Sequence, residues 1–252
     1  MYQDIPNNTF NFNENPNSQN NYDPYNIMQN GFTNNTTNMN NNTPTNNATT
    51  NKSIRIKIEN VLFEYVHLTQ PHAFSLNETP KYSVTLLIPK QNNQYDNNTN
   101  QYYARIRQKV RNAISEAYNI ATQTIWNNIP QIDLQTLESK IIRDGDTTDK
   151  TNLHGHYYIK VTRDRTRTVT AVDNNNQEIQ DKQKALEYLR QIQNGDGGIA
   201  YLAIKGYSIN NNQEIKQGIG VYLDAIRKTH NKAANYSSTA INPYSFNPSD
   251  YL

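Results

Sequence analysis

The first 51 residues of this chain include 19 asparagines and neither a lysine nor an arginine, and that bias confines the foldable part to residues beyond position 51. Single aromatics are scattered through the segment without a periodic apolar face, so burial cannot offset the entropy of ordering it. Residues 1–51 are therefore expected to form a disordered Asn-rich tail. The last stretch, 233–252, also lacks lysine and arginine and carries Pro243 and Pro248; it reads as a second, flexible tail. The part between them, 52–232, has the length of one domain.

All 24 lysines and arginines lie between Lys52 and Lys232 together with 18 of the 22 acids, so this part carries +6 while the whole chain carries +2. A basic globule attracts polyanions, an argument about partners and solubility rather than about fold. There is no cysteine, which excludes disulfides, thiol catalysis and Cys-based zinc or iron–sulfur sites. No run approaches the ~18 apolar residues of a membrane span. The N-terminus also lacks the basic region and apolar stretch of a signal peptide. A cytoplasmic protein without a membrane partner is expected.

Within 52–232 the periodicities alternate between strand and helix. In SIRIKIENVLFEYV, Ile54, Ile56 and Ile58 alternate with Arg55 and Lys57, a half-buried strand with its cations on the wet face. A loop with Pro71 and Pro80 comes next, and then a strand over Lys81 to Ile88. Tyr103, Ile106, Val110, Ala113, Ile114, Ala117 and Ala121 recur at helical spacing and predict an amphipathic helix of about 25 residues. Pro130 blocks its continuation. A shorter helix is expected over Lys182 to Gln193, stopped by Gly195. The remaining strands are His156 to Arg163, Arg165 to Val172, Ile199 to Ile209 and Ile215 to Ile226. Asp164 and Asn210-Asn211-Asn212 mark two hairpins. The fold class is mainly β with inserted helices. Five to six antiparallel strands are too few for a typical sandwich and fit a small barrel.

Alternation then sorts the strand residues by face. Tyr158 and Lys160 oppose Tyr157, Ile159 and Val161. Tyr201, Lys205 and Tyr207 oppose Leu202, Ile204 and Gly206, and the closing strand exposes Lys216 and Tyr222 while it buries Ile219, Val221 and Leu223. Tyrosine and cation recur together on the wet face, which is what a single-strand binder needs: aromatic faces for unstacked bases, cations for phosphates. The plainer alternative is that tyrosine simply favours strands and that the lysines solubilise them. Arg163, Arg165 and Arg167 form the densest positive run, either a phosphate clamp or a solvated turn.

Three segments, KYSVTLLIPK, IIRDGDTTDKTNLHGHYYIKV and GIAYLAIKGYSINNNQEIKQGIGVYLDAI, in this order around a long helix, resemble a family of tailed-phage single-stranded-DNA-binding proteins first recorded as a domain of unknown function. The resemblance covers most of Lys52 to Lys232 and is strongest from Ile141 to Ile226. It implies an oligonucleotide-binding barrel, single-stranded DNA as partner, and a role in coating strands during replication or recombination. On that reading Arg55, Lys57, Tyr158, Lys160, Arg163, Arg165, Arg167, Tyr201, Lys205, Tyr207 and Tyr222 are the expected DNA-binding residues. A tail that recruits phage replication or recombination proteins is also implied. Here the end, PYSFNPSDYL, keeps the aromatics but only one acid, Asp250. Self-association is left open.

His154 and His156 near Asp144, Asp146 and Asp149 invite a metal reading. The acid spacing does not match a calcium loop, and zinc lacks a third nitrogen or sulfur ligand. Asp144-Gly145-Asp146 is read instead as a turn with Gly145 at positive φ. No Walker loop or nucleophile elbow occurs, and Gly195-Asp196-Gly197-Gly198 precedes a strand rather than a helix. Neither an enzyme nor a cofactor is expected. The rivals are a strand-annealing recombinase, a structural scaffold, and a metal-dependent nuclease built on the three aspartates.

Overall fold

The computed structural model describes residues 52–232 apart from 74, 77, 92–95, 212 and 213; both expected tails lie outside the described residues. Among these, the elements run β1 (Ile54–His72), β2 (Lys81–Pro89), α1 (Asn97–Thr124), α2 (Leu134–Ile141), β3 (Arg143–Asp144), β4 (His156–Asp164), β5 (Thr170–Ala171), α3 (Lys182–Arg190), β6 (Gly197–Asn211) and β7 (Glu214–His230). Two single-turn 3-10 helices, Gly145–Thr147 and Thr151–Leu153, separate β3 from β4.

Strand β1 pairs with β6 from Ile54 to Leu62 and with β2 from Leu62 to His72. A strand of 19 residues must coil to serve two neighbours in a small barrel, and bulges supply the bend. Register shifts fall between Ile58 and Val61, between Glu64 and His67 and between His67 and His72, and the first two contain a residue at positive φ, Asn60 and Tyr65, both at 50°. Asparagine tolerates that region; for tyrosine it costs about 1–3 kcal/mol. The surroundings hold Tyr65 there: its hydroxyl donates to Asn152 Oδ1 at 2.8 Å, and Asn152 Nδ2 donates to the buried Glu64 at 3.0 Å. The strand is thus longer than its opening pattern suggests and runs on through Pro71.

The sheet order β4-β2-β1-β6-β7 closes through a parallel bridge between Thr162 on β4 and Tyr222 on β7. This is the expected small barrel, with one parallel seam among antiparallel pairs. Strand β3 occupies the same edge of β4 nearer its start, opposite Tyr157 and Tyr158. Val84, Leu86, Ile88, Ile159, Val161, Leu202, Ile204 and Leu223 belong to the buried core.

Helix α1 starts where Asp96 accepts from Thr99 N at 2.8 Å, an N-cap bond. Its buried stripe contains the seven residues expected from spacing, Tyr103 through Ala121. Near its end the helix comes so close to β6 that a methyl group on Gly206 would lie 2.2 Å from Ala121 Cβ. Trp126, just beyond, donates its indole N–H to Tyr207 O at 3.0 Å.

Three expectations need correction. Residues 165–172 are not a hairpin strand: Asp164 accepts from Thr166 N and Oγ1 at 2.9 and 2.7 Å, the chain turns away, and only β5 pairs, parallel to β7. Helix α2 was not anticipated, because eight residues with one buried side chain, Leu137, leave little periodicity. Gly145 is not at positive φ. Its requirement is closeness, since a methyl group there would lie 1.9 Å from Leu153 O.

Candidate nucleic-acid interface

Paired residues in neighbouring strands put their side chains on the same face of a sheet. Arg143 is opposite Tyr158, Lys81 opposite Asp164, and Thr162 opposite Tyr222. Tyr158, Lys160, Thr162 and Asp164 alternate along β4, so these positions make one continuous face. Between Tyr158 and Thr162 the edge of β4 is left by β3 and not yet taken by β7. A groove of about 600 Å³ lies over that gap.

Five cations line the groove, Lys81, Lys140, Arg143, Lys160 and Lys216, and among the described residues its lining contains no carboxylate. Partial burial holds Lys160 below its ordinary pKa; Glu78 opposes this, while the charges of Arg143, Lys81 and Lys150 add to it. Like charges gathered in one groove are relieved when a polyanion enters.

Tyr207 and Tyr222 line the same groove. Each ring needs a glycine beneath it. Gly218 is paired with Tyr207, and a methyl group on it would lie 2.5 Å from Tyr207 Oη; one on Gly220 would lie 2.5 Å from Tyr222 Oη. Lys205 Nζ sits 5.1 Å from the centroid of the Tyr222 ring. Burial, reinforced by Tyr207, raises the Tyr222 pKa, so its phenol is neutral at physiological pH.

Of the residues expected to bind DNA, the structure gathers Lys160, Tyr207 and Tyr222 in the groove, with Lys205 beside Tyr222 and Tyr158 at the β3 end. The others lie elsewhere. Arg163 and Arg55 converge on Asp224, at 2.6 and 3.4 Å, and Arg163 also donates to Leu223 O at 3.2 Å. Lys57 pairs with Glu59 at 2.9 Å. Arg165 and Arg167 are exposed in the turn after β4, separated from Arg163. Tyr201, expected on the solvent face, is 1% exposed. The turn after β5 covers it: Asn176 Oδ1 lies 3.5 Å from the Tyr201 hydroxyl and accepts from Arg227 at 2.6 Å.

Lys81, Lys140, Arg143 and Lys216 complete the site. Lys216 was legible as an exposed strand residue, and the Gly218-x-Gly220-x-Tyr222 spacing could have pointed to aromatics lying over glycines. Lys140 is carried by the unanticipated α2.

The acids and histidines considered for a metal are otherwise engaged. Lys90 binds Asp144 and, at 2.6 Å, Asp146, which also accepts from Gly155 N at 2.6 Å. His154 is exposed and its Nε2 bonds Thr148 O at 2.8 Å. His156 is buried, its Nδ1 bonds His154 O at 2.8 Å, and burial lowers its pKa to about 4. The two imidazoles therefore do not share a face. Among the described residues no group of three or more His, Cys, Asp or Glu is placed to hold a metal ion, and no helix is long and apolar enough to cross a membrane.

No curated protein matches the chain. Among solved structures, the single-stranded DNA-binding protein from bacteriophage Enc34 in complex with ssDNA is similar in fold, with a TM-score of 0.50 and 21% identity over 71% of this chain and 87% of that one. The same bacteriophage protein alone gives a TM-score of 0.47 at 20% identity, over 73% and 87% of the two chains. The gp2.5 single-stranded DNA binding protein of bacteriophage T7 gives 0.38 at 13%, over 74% and 91%. Residues 54–235 match the family described as Enterobacter phage Enc34, ssDNA-binding protein. That match takes in the whole barrel with its helices and groove, and the chain belongs to this family of phage ssDNA-binding proteins.

Proposed function

We propose that the protein binds single-stranded DNA along the groove between β4 and β7 with little preference for sequence, and coats strands during phage replication or recombination in the host cytoplasm. The observation that carries this reading is the lining itself, five cations around two tyrosines, with no carboxylate among the described lining residues. Phosphates displace counterions as they meet Lys81, Lys140, Arg143, Lys160 and Lys216, and bases stack on Tyr207 and Tyr222. Neither contact reads base identity. Binding is stoichiometric and needs no catalytic group. A coated strand is kept from forming hairpins and from nucleases.

The test is a titration of fluorescent oligo-dT and of its duplex at two salt concentrations. Tight, salt-sensitive binding of the single strand with the oligonucleotide left at full length supports the reading. Equal affinity for the duplex, or cleavage, overturns it.

Strand annealing is a second reading, supported by exposed cations on α1 that lie outside the groove lining. On α1, Arg105, Lys109 and Arg111 are exposed, Arg111 lying 3.8 Å from Glu138, while Arg107 stacks over Tyr157 at 4.5 Å. A second strand held there would let the protein pair two strands. Faster annealing of complementary oligonucleotides, lost on replacing Arg105, Lys109 and Arg111 by Gln with groove binding retained, would favour it.

A further inference from the structure

Two histidines lie where the groove meets the arm formed by β1 and β2. His72 is paired with Lys81, a groove cation, and His67 is paired with Ser83, which is itself opposite Thr162, the partner of Tyr222. One row of side chains thus crosses from β1 through β2 and β4 to β7 on a single face. The two imidazoles are stacked, with centroids 4.4 Å apart and planes 11° from parallel. His67 is half-buried and His72 exposed.

We infer that bound single-stranded DNA continues out of the groove onto this arm, where the His67–His72 stack offers a base-stacking platform and takes up a proton as phosphate arrives. The inference rests on the groove being the strand's path.

The charges around the pair favour this coupling. Lys81 on β2 is paired with His72 and Lys160 on β4 acts on His67, while Glu78 and Lys150 act in turn on Lys160; Glu64 on β1 is already bonded by Asn152. Lys150 Nζ lies over the Tyr65 ring at 4.9 Å. Partial burial, then His72, then Lys160 lower the pKa of His67 and favour its neutral form in the free protein. A phosphate reverses the local sign and raises the imidazole pKa. By linkage, the ligand must then bind more tightly as pH falls through the histidine range. An aromatic pair beside cations, exposed at His72, is also a surface on which unstacked bases settle.

The experiment measures oligo-dT affinity of the full chain at about pH 8 and about pH 6, and net proton uptake by calorimetry in buffers of different ionisation enthalpy. The wild type is expected to bind about three- to tenfold tighter at the lower pH, with proton uptake. His67→Gln/His72→Gln, and the gentler His72→Gln at its exposed position, should lose most of that difference. Lys140→Gln/Lys216→Gln should weaken binding at both pH values and keep it. A wild type without pH dependence or proton uptake overturns the inference, as does a folded double histidine variant that retains both. Normal binding by the Lys140/Lys216 variant would instead overturn the groove as the path.

Discussion

The Tyr207 ring lies across Gly218, its partner on β7, so closely that a methyl group on the glycine would sit 2.5 Å from the phenol oxygen. Gly220 and Tyr222 repeat the relationship at the same distance. Two side chains of hydrogen thus make room for two aromatic platforms. Gly218→Ala/Gly220→Ala should displace both rings and weaken oligo-dT binding by about tenfold, ~1.4 kcal/mol. The melting temperature should change little, because the displaced atoms are the far ends of two side chains. Unchanged affinity in a folded double variant would remove these rings from the site.

Tyr222→Ala and Tyr201→Ala should separate binding from folding. The groove tyrosine is expected to cost ~1–3 kcal/mol of binding with the domain intact. Tyr201, almost wholly buried, should cost about 3–5 kcal/mol of stability, as other aromatic truncations in cores do, and leave the affinity of the folded fraction alone. Thermal melts and titrations on the two variants check both halves.

Salt dependence distinguishes the groove cations from the arginine run. Lys81, Lys160 and Lys216 replaced together by Gln should reduce the magnitude of the log K against log salt slope by ~2, at about 0.7 per phosphate contact. Arg165→Gln/Arg167→Gln should change it by roughly 1.4 at most if the turn touches the strand, and by nothing if it does not. Arg163 would not serve in such a variant because it is bonded to Asp224.

Acid should weaken the fold before carboxylates protonate. His156 is buried with its pKa lowered to about 4, so between there and its ordinary value near 6.5 the unfolded chain binds the extra proton and the folded one does not. Stability therefore falls as pH drops through that window, by up to about 3 kcal/mol. Denaturant midpoints at neutral pH and near the bottom of the window, in the wild type and in His156→Asn, would measure it. The variant should lose most of the difference. A wild-type midpoint that does not move would show that His156 is protonated in the fold.

Helix α1 was legible because seven apolar residues at a period near 3.6 leave one stripe to bury, and that stripe depends on nothing distant. The alternation of β4 was equally legible, and it put Lys160 on the side of the strand where the groove lies. The same reasoning failed at Tyr201. Alternation says which side of a strand a residue takes, and only the packing of the turn after β5 decides that both sides of β6 are covered there. Nor does alternation show that Arg163 and Arg55 share Asp224, a residue 61 positions from one and 169 from the other.

By itself the sequence determined the long helix, the central strands and the excess of positive charge, because each of these arises from local composition or a short period. The tertiary structure decided which cations meet. Lys81, Lys140, Arg143, Lys160 and Lys216 come from five separate segments and converge only because the barrel closes at Thr162 and Tyr222. That closure is one pairing between distant strands, and no periodicity within either of them records it.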